Sequence, residues 1–372
     1  MAMATSTEGP SSSSSGPLTT PLTTILGIQH PILLAGMAHT STAPLAAAVS
    51  SAGGLGTIGG LGYSPSHLTN MMRELKSSLP PHLQKPSQKD GKYAFGVDLA
   101  LPQIGGSARK TNHDYTHGQL DELVDAIIAE GARLFISAVG VPPQRVIERL
   151  HEGGVLVMNM VGHPKHAVKA FEAGVDLVCA QGGEGGGHTG DIAMSILVPA
   201  VVEVARRYKP KMLGGQTGLV VAAGGIYDGR GLAAALTMGA VGVWVGTRFV
   251  ASEEAGCSKM HKEAVVSAEY TDTIRTLVVS GRPLRCKRNE WIDSWEAKPE
   301  EIKQLTESGT VPLEKDMNED KEVDFPFLMG QVAGSVQKIL PAKTIVDDMV
   351  REAVDCLNTA GSFVSNSRSS KL

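Results

Sequence analysis

Residues 180–190 of this 372-residue chain read Ala-Gln-Gly-Gly-Glu-Gly-Gly-Gly-His-Thr-Gly, which sets one histidine among six glycines. Glycine loses more conformational freedom on folding than any other residue, so a run this dense is costly to order. It follows an apolar run, 175–179, and precedes a helical pattern, 195–208, which argues against a free linker. The reading left is a backbone lying flush against a ligand that tolerates no side chains. His188 is the one chemically versatile side chain in the loop. An imidazole there can abstract a proton next to an activating group, or steady an anionic substrate once protonated. Glu184 is the single carboxylate inside the run and either orients a neighbour or stays solvated. His39 follows the first apolar run and is a candidate pocket residue. His113 and His117 fall in a polar loop and are expected to be exposed. No His, Cys, Asp or Glu spacing resembles a metal site.

Two further segments carry glycine where a strand should end. Residues 220–226 run Val-Val-Ala-Ala-Gly-Gly-Ile, with Gly224 and Gly225 as the pair. Residues 243–248 run Val-Trp-Val-Gly-Thr-Arg, with Gly246 and Thr247 at the end. Backbone N–H groups at Gly225, Gly246 and Thr247 would grip a phosphate monoester if these are the last two strands of a barrel. Tight turns are the plainer alternative, which glycine serves equally well. Residues 54–59, Gly-Leu-Gly-Thr-Ile-Gly, match the dinucleotide pattern letter for letter. They run from helix into strand, the reverse of that motif's context, and are discounted.

The elements that must position these residues are legible as alternation. Apolar runs at 32–35, 55–59, 93–99, 134–138, 155–160, 175–179, 219–223 and 241–246 are mostly apolar on both faces, as buried parallel strands are. Helical patterns lie between them at 43–52, 65–77, 119–130, 143–152, 164–173, 195–208 and 229–238, several opening on Pro or a capping residue and closing at Gly. Such a series predicts an α/β fold, a (β/α)8 TIM barrel; a doubly wound sheet is the alternative, because counting does not show closure. In a barrel, ligand chemistry collects at the carboxyl ends of the strands, where all three glycine segments fall. Beyond 249 the pattern changes to helical stretches at 253–270 and 299–307, a strand-like 275–279 and a charged run at 314–324. The expected organisation is a disordered leader at 1–20, the barrel at 21–250, a smaller, mainly helical domain or elaboration at 251–335, a closing helix at 336–360 packed on the barrel, and an exposed tail at 361–372.

Composition bounds the function. A net charge of −4 and 4% aromatic residues give no reason to expect nucleic acid. No apolar run approaches a membrane span of about 20 residues. Cys179, Cys257, Cys286 and Cys356 are scattered without a Cys-x-x-Cys pair, which fits reduced thiols inside a cell. The leader has neither the apolar core of a secretory signal nor the arginine of a transit peptide. The final residues, Ser370, Lys371 and Leu372, form the peroxisomal address, so capture by the peroxisomal import receptor is expected; otherwise the protein would be cytoplasmic.

Residues 31–37, 45–56, 180–190 and 222–249, in that order and spacing, resemble the nitronate monooxygenase family, formerly the 2-nitropropane dioxygenases. The resemblance implies an FMN-binding barrel with a smaller helical domain. It implies that His188 is the base that deprotonates neutral nitroalkanes, and that Gly36, Met37, Gln181, Gly186, Gly224, Gly225, Trp244, Val245, Gly246 and Thr247 contact the flavin. Asp98 stands where many members carry asparagine beside the flavin, adding a carboxylate near the cofactor. The implied reaction is oxidative denitrification: a nitronate reduces FMN by one-electron transfer, and O2 then yields a carbonyl compound and nitrite. Small alkyl nitronates and propionate 3-nitronate both suit it. An NAD(P)H-dependent flavin reductase of the quinone or enoyl type is the alternative on the same scaffold, disfavoured by the lack of a second nucleotide motif in the right context. A catalytically dead phosphate-binding scaffold is a third reading, which an intact His188 and its glycines oppose.

Overall fold

Successive residues of the apolar runs are buried in two different clusters by turns, and this alternation shows how the runs assemble. In β4 (Ala132–Val139), Leu134 and Ile136 face one core and Phe135 another; in β5 (Leu156–Val161), Leu156 and Met158 oppose Val157 in the same way. Successive side chains of a strand point to opposite faces, so one set fills the inside of a closed sheet while the other meets the surrounding helices. The computed structural model describes residues 16–101 and 114–364. Most of the expected leader, His113 and the terminal Ser370, Lys371 and Leu372 lie outside the described residues.

The other barrel strands are β1 (Ile32–Leu34), β2 (Gly56–Gly59), β3 (Tyr93–Ala100), β6 (Leu177–Gln181), β8 (Leu219–Ala223) and β9 (Gly242–Val245). All eight are parallel, in the order β1-β9-β8-β6-β5-β4-β3-β2. A parallel bridge between Leu33 and Leu55 joins the two ends, with Leu34 N–H to Leu55 O and Leu55 N–H to Ile32 O both at 2.9 Å. The sheet is therefore a (β/α)8 barrel rather than a doubly wound sheet. Three crossovers share one device, a helix end followed by Gly131, Gly174 or Gly239 at φ +74°, +100° and +94°, which turns the chain into the next strand.

The bottom of the barrel is closed by a short helix, Pro21–Leu26, whose Leu22 and Leu26 are fully buried in the interior cluster. Thr20 caps that helix, and its hydroxyl donates to Val241 O at 2.7 Å. The helix Ala342–Ser362 packs on the outside, where Glu352 Oε2 accepts the Gly229 N–H at 3.0 Å.

Past the barrel the structure departs from the sequence pattern. The helix expected at 253–270 shrinks to Lys259–Val266, because Ser258 caps it by accepting the His261 N–H. The second unit also contains an antiparallel sheet of β10 (Thr273–Thr276), β11 (Leu284–Lys287) and β7, the two residues Gly187–His188 of the barrel's own glycine loop. Helices Glu290–Glu296, Pro299–Ser308 and Pro312–Asn318 pack beside it around Val278, Leu284, Cys286, Ile292, Trp295 and Ile302. Asp316 accepts both indole N–H groups, from Trp291 at 3.0 Å and Trp295 at 2.7 Å. Among the described residues no helix is long and apolar enough to cross a membrane.

Candidate active site

The carboxyl ends of the strands open onto a cavity of about 690 Å³, within the ordinary size of small-molecule sites. His188 lines it, together with Gln181 and Gly186 of the same loop. Gly36 and Met37 reach it from the end of β1, and Asp98 from β3. Gly224 and Gly225 follow β8; Trp244, Gly246 and Thr247 end β9; all five line it. Val245 does not. It is fully buried in the outer cluster between strand and helices, because neighbours along a strand face opposite ways.

The glycine loop is ordered by specific hydrogen bonds. Gln181 Nε2 donates to His188 O at 2.9 Å, and the Thr189 hydroxyl donates to Gly182 O at 2.7 Å. Glu184 accepts the Met194 N–H with both carboxylate oxygens, at 3.0 and 3.1 Å. Met194 opens the following helix, Met194–Ala205, so Glu184 satisfies that helix's first N–H from outside it and thereby holds the loop. A strap from the second unit lies across the loop. Gly330 N–H donates to Thr247 Oγ1 at 2.9 Å and Gln331 N–H to Glu184 O at 3.0 Å. A Cβ on Gly186 would stand 2.6 Å from the Met329 carbonyl carbon, so this approach requires glycine.

Beside the start of the glycine loop, Gly224 and Gly225 adopt φ +85° and +73° in succession, a backbone that presents adjacent N–H groups on one side. A Cβ at Gly225 would meet only Glu184 atoms at 3.6 Å or more, while one at Gly224 would sit 2.8 Å from Gly182 O. Arg248, next in the Gly-Thr-Arg run, points away: its Nη2 donates to Ala251 O at 2.8 Å and Lys338 O at 2.6 Å, and burial lowers its pKa to about 10. It fastens the closing segment.

Asp98 is buried, and among the described residues its Oδ1 has no hydrogen-bond partner. Burial raises its pKa well above the usual carboxylate range. Gly36 is packed directly against this carboxyl, leaving no room for a Cβ. A neutral acid at this position can donate one hydrogen bond, as the amide of an asparagine does. Raised pKa means the folded protein holds a proton that the unfolded chain releases, so stability falls as pH climbs from the usual carboxylate range to the folded value. Asp98→Asn is therefore expected to stabilise the protein by an amount that grows across that window. Urea midpoints at about pH 4 and about pH 8, at matched flavin content, measure it. An increment equal at both pH values would contradict a neutral buried Asp98.

Cys179 lies fully buried inside the barrel, and burial, then the nearby Asp98, pushes its thiol up; this is the environment of an inert thiol. His39 lines the cavity at φ +57°, whereas His117 is exposed. The second unit contributes Ser280, Arg282, His261 and Phe327 to the wall, none marked by a sequence pattern. His261 stacks on Phe327 at 5.1 Å and shares a 2.9 Å hydrogen bond with Leu328 O.

A profile of the nitronate monooxygenase family matches residues 19–352. The chain belongs to the nitronate monooxygenase family. A probable nitronate monooxygenase of Staphylococcus saprophyticus is 31% identical, the match covering 92% of this chain and 99% of that protein. A (3aS,4S,5R,7aS)-5-hydroxy-7a-methyl-1-oxo-octahydro-1H-indene-4-carboxyl-CoA dehydrogenase of Mycobacterium tuberculosis is 30% identical, covering 93% and 99%. Among solved structures, FabK from Thermotoga maritima superposes with a TM-score of 0.73 at 32% identity, covering 93% and 100%. A nitroalkane oxidase from Streptomyces ansochromogenes superposes at 0.71 with 25% identity, covering 92% and 99%. The family shows this chain to be an oxidoreductase, and its relatives carry out more than one reaction.

Proposed function

We propose that the protein uses FMN to oxidise nitronates, and neutral nitroalkanes after deprotonation by His188, with O2 giving a carbonyl compound and nitrite. The observation that carries this reading is the convergence of His188, the Asp98 Oδ1 that has no partner among the described residues, and the consecutive left-handed glycines 224 and 225 on one cavity. The residues fit the cofactor. N–H groups at Gly224, Gly225, Gly246 and Thr247 would hold the phosphate, Asp98 would donate to the polar ring edge, and Met37, Gln181, Gly186 and Trp244 would bound the ring. When bound, FMN supplies the electron acceptance and the reaction with O2. The chain's own part is placement: glycine walls admit a flat ring, the strap at 328–331 screens it from water, and His188 takes the proton of the carbon bearing the nitro group. The match to a nitroalkane oxidase structure supports this assignment.

The relative named as a carboxyl-CoA dehydrogenase favours a second reading, oxidation of a CoA thioester. The carbon next to a thioester is acidified as the carbon next to a nitro group is, so the same imidazole would serve. Anaerobic titration of the purified protein separates these. Ethyl nitronate is expected to bleach the flavin absorption, while NADPH and acyl-CoA reduce it slowly or not at all. A flavin that stays oxidised under nitronate, or that NADPH bleaches at once, overturns the first reading. The Ser370, Lys371 and Leu372 terminus extends the proposal to peroxisomal delivery, a setting suited to an O2-consuming flavin enzyme.

A further inference from the structure

We propose that Ser280 is a positioning residue that fixes the tautomer and orientation of His188, so that the second unit completes the base carried by the barrel loop. This deepens the reading of His188 as proton acceptor and rests on it. Ser280 Oγ lies 2.9 Å from His188 Nε2 and 3.3 Å from Arg282 O. A carbonyl oxygen only accepts, so the Ser280–Arg282 contact needs the hydroxyl proton, and the proposed arrangement leaves that proton there. The His188–Ser280 bond then requires the proton on Nε2, with Oγ as acceptor. That assignment puts the basic lone pair of the neutral ring on Nδ1.

The contact is built rather than incidental. Ser280 sits in the half-buried turn between β10 and β11, which Gly281 closes at φ +65° with its N–H on Leu277 O at 2.8 Å. The same hairpin grips the backbone on either side of the ring. Leu284 is registered against His188 and Arg285 against Gly187, and the Thr189 N–H donates to Pro283 O at 3.2 Å. Gln181 holds the His188 carbonyl from the barrel side. The imidazole is thus clamped between two units whose hydrogen-bonding residues lie 92 positions apart in the chain. An exposed hydrogen bond of this kind adds little to stability, so its consequence is the ring's orientation. In the step it supports, the C–H bond next to the nitro group breaks, its proton passes to Nδ1, and its electron pair moves into the nitro group to form the nitronate. The Nε2–H stays on Ser280 throughout.

The decisive measurement is the ring tautomer in the full-length protein labelled with 15N-histidine, the His188 signals being assigned by their loss in His188→Asn. The Nε2-protonated form is expected in the wild type and in Ser280→Thr, and a mixture containing the Nδ1-protonated form in Ser280→Ala. Kinetics supply a second readout. Ser280→Ala is expected to lower kcat/KM for neutral nitroethane by about tenfold or more while leaving ethyl nitronate within about twofold, and Ser280→Thr to restore it. An unchanged tautomer in Ser280→Ala, or equal losses on both substrates, overturns the proposal. If the wild type consumes neither substrate, the functional reading fails, and the tautomer still decides the role of Ser280.

Discussion

His188→Asn is expected to lower kcat/KM for neutral nitroethane by about 10² to 10⁴-fold while leaving the preformed ethyl nitronate within a few-fold of wild type. The asymmetry follows from the chemistry. A neutral nitroalkane must lose its α-proton before it can give up electrons, and the amide of asparagine is no base. A preformed nitronate has already lost that proton. The fold is indifferent to the change: His188 is exposed, and its strand is held through the Gly187 and His188 backbones and Gln181. Steady-state rates on both substrates, with flavin occupancy checked by absorbance, give the answer. A parallel fall on both would leave His188 as a binding or structural residue only.

Gly224→Ala is expected to yield a protein that binds flavin at least about tenfold more weakly, equivalent to about 1.4 kcal/mol or more. Two effects add. The residue sits at φ +85°, where a side chain costs about 1–2 kcal/mol. Its new Cβ would also stand 2.8 Å from Gly182 O and 3.0 Å from Gly182 N, forcing the start of the glycine loop away from β8. Gly174→Ala separates the two. Its φ is +100°, but the nearest atom to its Cβ is Ile147 Cγ2 at 3.7 Å, in a helix-to-strand turn outside the cavity lining. It is expected to lower the melting temperature and leave flavin content alone. Full flavin content in Gly224→Ala would remove the glycine pair from the cofactor site.

Several parts of this site were legible before any coordinates. The strands declared themselves as apolar runs because a parallel strand buried on both faces needs no polar residue. The helix-glycine-strand turns were readable because a left-handed residue after a helix is a local steric demand that glycine meets. The glycines packed tightly in the cavity wall were readable for the same kind of reason. A close backbone approach cannot be built from residues with side chains, as the tight packing at Gly186 and Gly224 shows.

What stayed hidden depends on partners far away in the chain. Val245 looked like its neighbours in the signature but turns outward, which only the register of β9 against β1 and β8 fixes. Glu184 stood between two readings, and accepts the first N–H of the next helix because the chain brings Met194 back over it. Two residues, Gly187 and His188, carry no strand propensity of their own and pair because a hairpin from the second unit lies alongside. Ser280 had no motif at all. The sequence by itself determined the α/β repeat, the family and the residues at the strand ends, because these answer to local sterics and periodicity, whereas closure of the sheet rests on the Leu33–Leu55 bridge. The tertiary structure alone decided that Ser280 stands against the His188 ring and that, among the described residues, the buried Asp98 Oδ1 has no partner. Both depend on how remote segments dock, and docking leaves no periodic trace in the chain.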